Sequence, residues 1–178
     1  MKTLTLLRHA KSTWDDQVKR DLDRPLNAKG RRAAATVGRH LKAEGVVFDH
    51  LVASPAVRVA QTLEGFASGY GELPGVHHDR RIYLAAASTL MEVVRDLPAS
   101  VDRALLVGHN PGLEDLVLFL VPRDGAGRGA VEQKYPTATV AELRLPVDDW
   151  AAVDEGGAEL ARFVRPRDLD PTLGPDED

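Results

Sequence analysis

The chain has 178 residues, 43% of them hydrophobic and 28% charged, with a formal net charge of −4, which suits a single globular domain with a substantial core. The acidic balance argues against non-specific attraction to nucleic acid or to anionic membranes. No cysteine is present, which excludes disulfides, thiolate zinc sites, iron–sulfur ligation and cysteine-nucleophile chemistry.

The first apolar run, residues 3–7, reads as a strand that leads straight into Arg8 and His9. Arg8 interrupts it too early for a signal-peptide core, and no stretch approaches the roughly 20 apolar residues of a membrane span. A cytoplasmic location is therefore expected. Asn27 is placed to cap a helix running to about residue 44, with Ala34, Val37 and Leu41 on one face and Gly45 beyond its end. Residues 48–53 read as a second strand, followed by Ser54 and Pro55 as N-cap and first residue of a helix with the stripe Val59, Leu63 and Phe66.

The chain breaks again at Gly69, Gly71, Pro74 and Gly75, with a short strand expected over residues 76–79. Thr89 and Glu92 have capping-box spacing at the head of a helix ending before Pro98, with Leu90, Val93 or Val94, and Leu97 facing the core. Ala104-Leu105-Leu106-Val107 is a short continuous apolar run, the signature of a central strand buried on both faces. Asn110 and Pro111 then suit an N-cap and first helical residue, with Glu114 and Asp115 in the first turn. Residues 122–129 read as a loop, and residues 137–145 and 159–164 alternate as later strands, one of them antiparallel. Residues 1–165 are expected to form the domain. Residues 166–178 hold three prolines and five acids, and are expected to be an extended or frayed tail. Strands alternating with helical stretches predict an α/β fold with a largely parallel sheet.

Three strand ends carry polar residues of one chemical kind: Arg8-His9, Ser54 with Arg58, and Gly108-His109. In a parallel sheet these ends share a rim, and ligands bind in the crevice outside it. Arg58, about one turn into its helix, can reach back over that crevice. Two arginines, two histidines and a helix amino terminus converging on a small volume suit an oxyanion.

Other polar groups read as structural. His40, His50, His77 and His78 have no motif around them. His77-His78-Asp79 is not read as a metal site, because adjacent histidines in a strand point to opposite faces. Asp21-Leu22-Asp23 reads as part of a charged loop. Residues 125–129 lack the Lys-Ser/Thr of a P-loop and read as a flexible loop. Trp150 is expected to pack in the core; Trp14 is left open between packing and lining a pocket.

Leu6-Leu7-Arg8-His9-Ala10, the run Ser54-Pro55-Ala56-Val57-Arg58-Val59-Ala60-Gln61-Thr62, and Gly108-His109-Asn110-Pro111 together resemble the three signatures of the histidine phosphatase superfamily. More closely they resemble its SixA-like phosphohistidine phosphatase branch, which also shows the Arg24-Pro25-Leu26-Asn27 segment followed by Gly30. The resemblance runs from residue 2 to about residue 120.

It implies a three-layer α/β/α sandwich of the phosphoglycerate mutase-like kind, mostly parallel with one antiparallel strand. It implies a phosphatase in which His9 attacks phosphorus and forms a phosphohistidine that water then hydrolyses. Arg8 and Arg58 would stabilise the phosphoryl oxygens, His109 would be a second phosphate ligand acting as a hydrogen-bond donor, and Arg24 would add a further contact. The scheme requires no metal and no cofactor. The partner implied is a phosphorylated protein, such as a histidine-containing phosphotransfer domain, or a small phosphorylated substrate, with the enzyme acting as a monomer.

One departure from the larger superfamily bears on substrate. Many members that hydrolyse phosphomonoesters place a carboxylate between the second and third motifs to protonate the leaving oxygen. Residues 80–91 contain no Asp or Glu. Either Asp15, Asp16 or Asp79 serves, or the leaving group needs less help, as a histidine departing from a phosphoramidate does. Protein phosphohistidine is the substrate this favours; a small phosphomonoester, or a binding module without turnover, are the alternatives.

Overall fold

The apolar runs of the sequence become the strands of one six-stranded sheet in a computed structural model of the protein, which describes residues 1–14 and 17–174. The strands are β1 (Lys2–Arg8), β2 (His50–Ala53), β3 (Val76–His78), β4 (Arg103–Gly108), β5 (Val140–Leu145) and β6 (Glu159–Val164), in the spatial order β3-β2-β4-β1-β5-β6. The four strands β1 to β4 are mutually parallel. β5 runs antiparallel to β1, and β6 antiparallel to β5, so β5 alone opposes the rest.

Side chains alternate across the pleat, and the central strands are apolar on both faces. Ala104 and Leu106 of β4, with Leu4 and Leu6 of β1, join one core cluster; Leu105 and Val107, with Leu7, join the other. Helices α1 (Ala28–Ala43) and α2 (Val57–Tyr70) cover the second cluster with Val37, Leu41, Val59, Leu63 and Phe66. Helices α3 (Ala87–Arg95) and α4 (Gly112–Leu120) cover the first with Leu90, Val94, Leu113, Leu116 and Leu120. Each such fully buried side chain contributes about 1.5–3 kcal/mol relative to exposure. The result is the three-layer α/β/α sandwich expected.

Asn27 caps α1 as read, its side chain accepting from the Gly30 amide at 2.8 Å. α1 and α2 approach closely enough that a Cβ on Gly38 would lie 2.2 Å from the Phe66 carbonyl oxygen. Among the described residues, no helix is long and apolar enough to cross a membrane.

Several local expectations change. β2 begins at His50, and Phe48 before it packs at a tilt against Phe66 and Tyr70. α3 starts at Ala87, so Thr89 lies inside its first turn and the Thr89/Glu92 spacing is not a capping box. α4 starts at Gly112 after a cis Asn110–Pro111 bond, although the Asn110 side chain still accepts from the Glu114 amide. The glycine-rich loop ends at Gly127, where α5 (Arg128–Gln133) begins; Arg128 anchors it by donating to the Leu118 and Val121 carbonyls at the end of α4.

Within the tail expected to be extended or frayed, residues 166–174 form α6 (Pro166–Leu169) and a 3-10 turn (Pro171–Leu173), and residues 175–178 lie outside the described residues. Leu173 is buried in a recess walled by Ala10, Ala33, Ala34 and Ala138. Asp168 and Asp170 serve as local caps, accepting from the backbone amides of Arg165 and Thr172. One apolar anchor and two capping acids offset a composition that otherwise reads as disorder.

Candidate active site

The three polar strand ends converge because β2, β4 and β1 are neighbours in the sheet and end nearly flush. Arg8 pairs opposite Gly108, and Ala53 opposite Val107. The His9 amide donates to the Gly108 carbonyl and the Ser54 amide to the Val107 carbonyl, both at 3.1 Å. Beyond these ends opens a crevice of about 290 Å³, whose walls include Arg8, His9, Arg24, Arg58 and His109. All five candidate residues named from the sequence therefore line one cavity.

His9 is buried, and its Nδ1 lies 2.8 Å from the Ala10 carbonyl oxygen. A carbonyl only accepts, so the proton of the neutral ring sits on Nδ1 and Nε2 keeps its lone pair. Burial is the main force pushing the imidazole pKa down to about 3; Arg8, Arg58 and Arg24 push the same way, against the Ala10 hydrogen bond. The loop that presents it is fixed from α2, where Thr62 Oγ1 accepts from the Ala10 amide at 2.8 Å and donates to the Arg58 carbonyl. Gln61 Oε1 accepts from the Leu26 amide in the same way. These two residues of the second motif thus support the loops and leave the crevice to Arg58.

Arg58 is the second residue of α2 and is 2% exposed. Its guanidinium donates to the Asp21 backbone carbonyl at 2.8 Å, to Asp21 Oδ2 at 3.0 Å, and to His109 Nδ1 at 3.3 Å. Its Nε is buried with no hydrogen-bond partner. Asp21 also accepts from Arg24, at 3.1 Å, and from the Tyr83 hydroxyl. Burial works against the Asp21 charge, but the hydrogen bonds from Tyr83, Arg58 and Arg24 prevail and hold its pKa down to about 2. Asp21 is thus a fixed carboxylate at the wall of a cationic crevice.

His109 Nε2 lies 2.7 Å from Ser54 Oγ. An arginine N–H can only donate, so His109 Nδ1 accepts from Arg58 and the ring proton sits on Nε2, donating to Ser54. Burial again dominates a pKa lowered to about 3, with His9 and Arg58 adding to it. In this neutral form His109 presents no donor to the crevice. Ser54 is expected to cap α2; its Oγ accepts from His109 and also from the Ala56 amide at 3.3 Å, and the helix starts later, at Val57.

The far wall comes from the segment after α5. The Tyr135 carbonyl accepts from both Arg8, at 3.0 Å, and Asn110, at 2.9 Å, and its hydroxyl donates to the Leu6 carbonyl. Leu84 stands at the mouth in the left-handed region, with φ of 49°. For a leucine that conformation costs about 1–2 kcal/mol. Trp14 is exposed, with the Arg24 guanidinium over its ring at 4.9 Å. Trp150 is fully buried, its Nε1 donating to the Val101 carbonyl.

Sequence reasoning passed over Asp21 as part of a charged loop, and did not single out Tyr83, Leu84 or Tyr135. The signal for Asp21 was its position three residues before Arg24, within ion-pair reach in a tight turn. Of the acids considered as proton donors, Asp79 is committed to Arg81 and does not line the crevice. Asp15 and Asp16 lie outside the described residues. His50 and His77 stack on each other at 4.5 Å, and among the described residues no group of three or more His, Asp or Glu is placed to hold a metal ion.

The family model for the histidine phosphatase superfamily (branch 1) matches residues 4–82, the stretch that supplies Arg8, His9, Arg24 and Arg58. The chain belongs to the histidine phosphatase superfamily. Its SixA-like branch is indicated by a structure assigned as the phosphohistidine phosphatase SixA from Nakamurella multipartitia. That structure is 28% identical, with a TM-score of 0.80 over 93% of this chain and 96% of that one. A SixA protein histidine phosphatase complexed with tungstate shares the fold, at 20% identity and a TM-score of 0.77, covering 94% of this chain and 99% of that one. The uncharacterized protein Rv1276c of Mycobacterium tuberculosis (strain H37Rv) is 34% identical over 164 residues, covering 90% of this chain and 100% of that protein. The chain is accordingly a phosphatase of the SixA-like kind, a histidine phosphatase whose crevice is built from the residues described above.

Proposed function

We propose that this histidine phosphatase dephosphorylates phosphohistidine in a partner protein, through a covalent phosphohistidine on His9. The lone pair of His9 Nε2 attacks phosphorus as the bond from phosphorus to the substrate imidazole breaks. Water then attacks phosphorus, the bond to His9 breaks, and inorganic phosphate leaves with His9 restored. Arg8, Arg58 and Arg24 supply fixed donors for the equatorial oxygens, where charge is spread in a loose transition state. An incoming dianion favours a proton on His109 Nδ1, which converts that nitrogen from an acceptor for Arg58 into a donor for the phosphoryl group.

The observation that carries the substrate assignment is the state of Asp21. It is the carboxyl among the described residues lining the crevice, and with a pKa of about 2 it has no proton to give near neutrality. An alkoxide leaving group needs such a proton. An imidazole leaving group that keeps a proton on its other nitrogen departs neutral and needs much less help.

The test compares kcat/KM for a phosphohistidine-bearing phosphotransfer protein with that for sugar phosphates, nucleotides and p-nitrophenyl phosphate. We expect the phosphoprotein to be preferred by two orders of magnitude or more; comparable or better turnover of a phosphomonoester overturns the substrate reading. Labelled phosphate should be trapped on the enzyme when turnover is stopped by denaturation at alkaline pH, where a phosphohistidine survives, and should be absent in His9→Ala. Retention of the label in that variant removes His9 as the nucleophile.

A further inference from the structure

Two large apolar side chains beside the cationic crevice are left to solvent: Leu84 is 56% exposed and Trp14 53%. Leu84 is the more telling, because its backbone is held where glycine or asparagine would be at ease and leucine is not. The segment is pinned on both sides of it. Ile82 is buried in the core, and the Tyr83 hydroxyl donates to Asp21. The Ala85 carbonyl sits against α4 so closely that a Cβ on Gly112 would lie 2.1 Å from its oxygen. The chain between these anchors is forced through the left-handed region at Leu84, and the side chain gains little burial there in return. Strain held at the rim of a site points to a function for the strained residue.

Arg8, Lys11, Arg24 and Arg58 make the crevice beneath strongly cationic, which suits the phosphoryl group and offers nothing to an apolar surface. Sugar and nucleotide phosphates are surrounded by hydroxyls and amides and have no use for an exposed leucine at the mouth. A folded polypeptide does, since the residues around a phosphorylated side chain include apolar ones.

Resting on the reading of the site as a protein phosphohistidine phosphatase, we infer that Leu84, together with Trp14, is a docking contact for the polypeptide that carries the phosphohistidine. It packs against an apolar side chain next to the modified histidine while the phosphoryl group enters the arginine cluster. Leu84 acts on substrate choice and leaves the chemical step to His9 and the arginines.

Leu84→Asn tests this without disturbing the turn, because asparagine tolerates the left-handed conformation and removes the apolar contact. Efficiency is measured on a phosphohistidine phosphotransfer protein and on phosphoramidate, a small substrate with the same kind of scissile bond. The ratio of the two should fall by about tenfold or more, chiefly through KM for the protein, with a thermal midpoint equal to or above that of the wild type. Trp14→Ala should move the ratio in the same direction, and Leu84→Met should restore most of it. A parallel fall of both efficiencies, or an unchanged ratio in a wild type that prefers the phosphoprotein, overturns the docking role alone. A wild type that prefers small phosphomonoesters overturns the substrate reading and this inference with it.

Discussion

Lowering the pH from 7 to 5 should destabilise this protein by an amount that two buried imidazoles set. His9 and His109 both have pKa values of about 3 in the folded chain, against 6.5 for an ordinary histidine. The unfolded chain therefore binds a proton at each site as the pH passes below 6.5, and the folded chain does not until about pH 3. Stability falls with pH wherever the unfolded state holds more protons, so the loss begins near pH 6.5 and grows through pH 5. Between pH 7 and 5 it amounts to about 2 kcal/mol per imidazole, about 4 kcal/mol for the pair. That is a large part of the 5–15 kcal/mol typical of a domain. With an m-value of about 2 kcal/mol per molar, the urea midpoint should drop by about 2 M. His50, whose pKa burial also lowers, adds in the same direction but remains in every variant. Urea unfolding of the wild type, His9→Asn and His109→Asn at pH 7, 6 and 5 separates the contributions. Each substitution should remove about 2 kcal/mol of the pH-dependent loss, whatever it does to absolute stability at pH 7. If all three proteins share one pH dependence, burial does not hold these imidazoles neutral, and the account of a lone pair ready on His9 Nε2 fails with it.

Other substitutions probe the supports of the site. Asp21→Asn should lower stability at pH 7 by about 1–1.5 kcal/mol, the roughly two-unit pKa depression discounted for partial exposure. Because the folded pKa is the lower one, that difference should be full above pH 4 and close as the pH falls toward 2; equal urea midpoints at pH 7 would show that the carboxylate is not held by Arg58, Arg24 and Tyr83. Ser54→Ala leaves the buried His109 Nε2–H without its acceptor, for an expected loss of about 1–3 kcal/mol in chemical denaturation and a lower kcat/KM. A variant as stable as the wild type would contradict the assigned tautomer. Gly112→Ala drives a Cβ into the Ala85 carbonyl and should lower the thermal midpoint by roughly 6–12 °C, from about 3 kcal/mol of displaced backbone. Calorimetry showing no change would mean that the segment bearing Leu84 is not pinned there.

Much of this site was legible in one dimension because its parts sit at the ends of strongly patterned segments. Apolar runs at residues 3–7 and 104–107 read as strands, which puts Arg8-His9 and Gly108-His109 at strand ends. Parallel pairing places such ends on one rim. Ser54 shows where local reasoning stops: Ser-Pro before a helical stripe is a sound cap signal, yet the oxygen reaches only the Ala56 amide ahead of the helix and also accepts from His109, 55 residues away. The helix starts beyond it, at Val57. The tail after Pro166 shows the same limit, since composition does not reveal a recess of alanines waiting for Leu173.

By itself the sequence determined the alternation of strand and helix, the core stripes, and the histidines and arginines that meet at the rim, because periodicity and strand polarity are local properties. Only the tertiary structure decided which nitrogen of each histidine carries the proton, that Asp21 is fixed as a carboxylate between Arg58, Arg24 and Tyr83, and that Leu84 is forced outward at the mouth. Each of these depends on a partner distant in sequence: Asp21 on Arg58 and Tyr83, His109 on Ser54, and the Leu84 turn on Gly112. Sequence patterning has no means of setting such distances; the register of three neighbouring strands and the packing of α4 against the segment before α3 do.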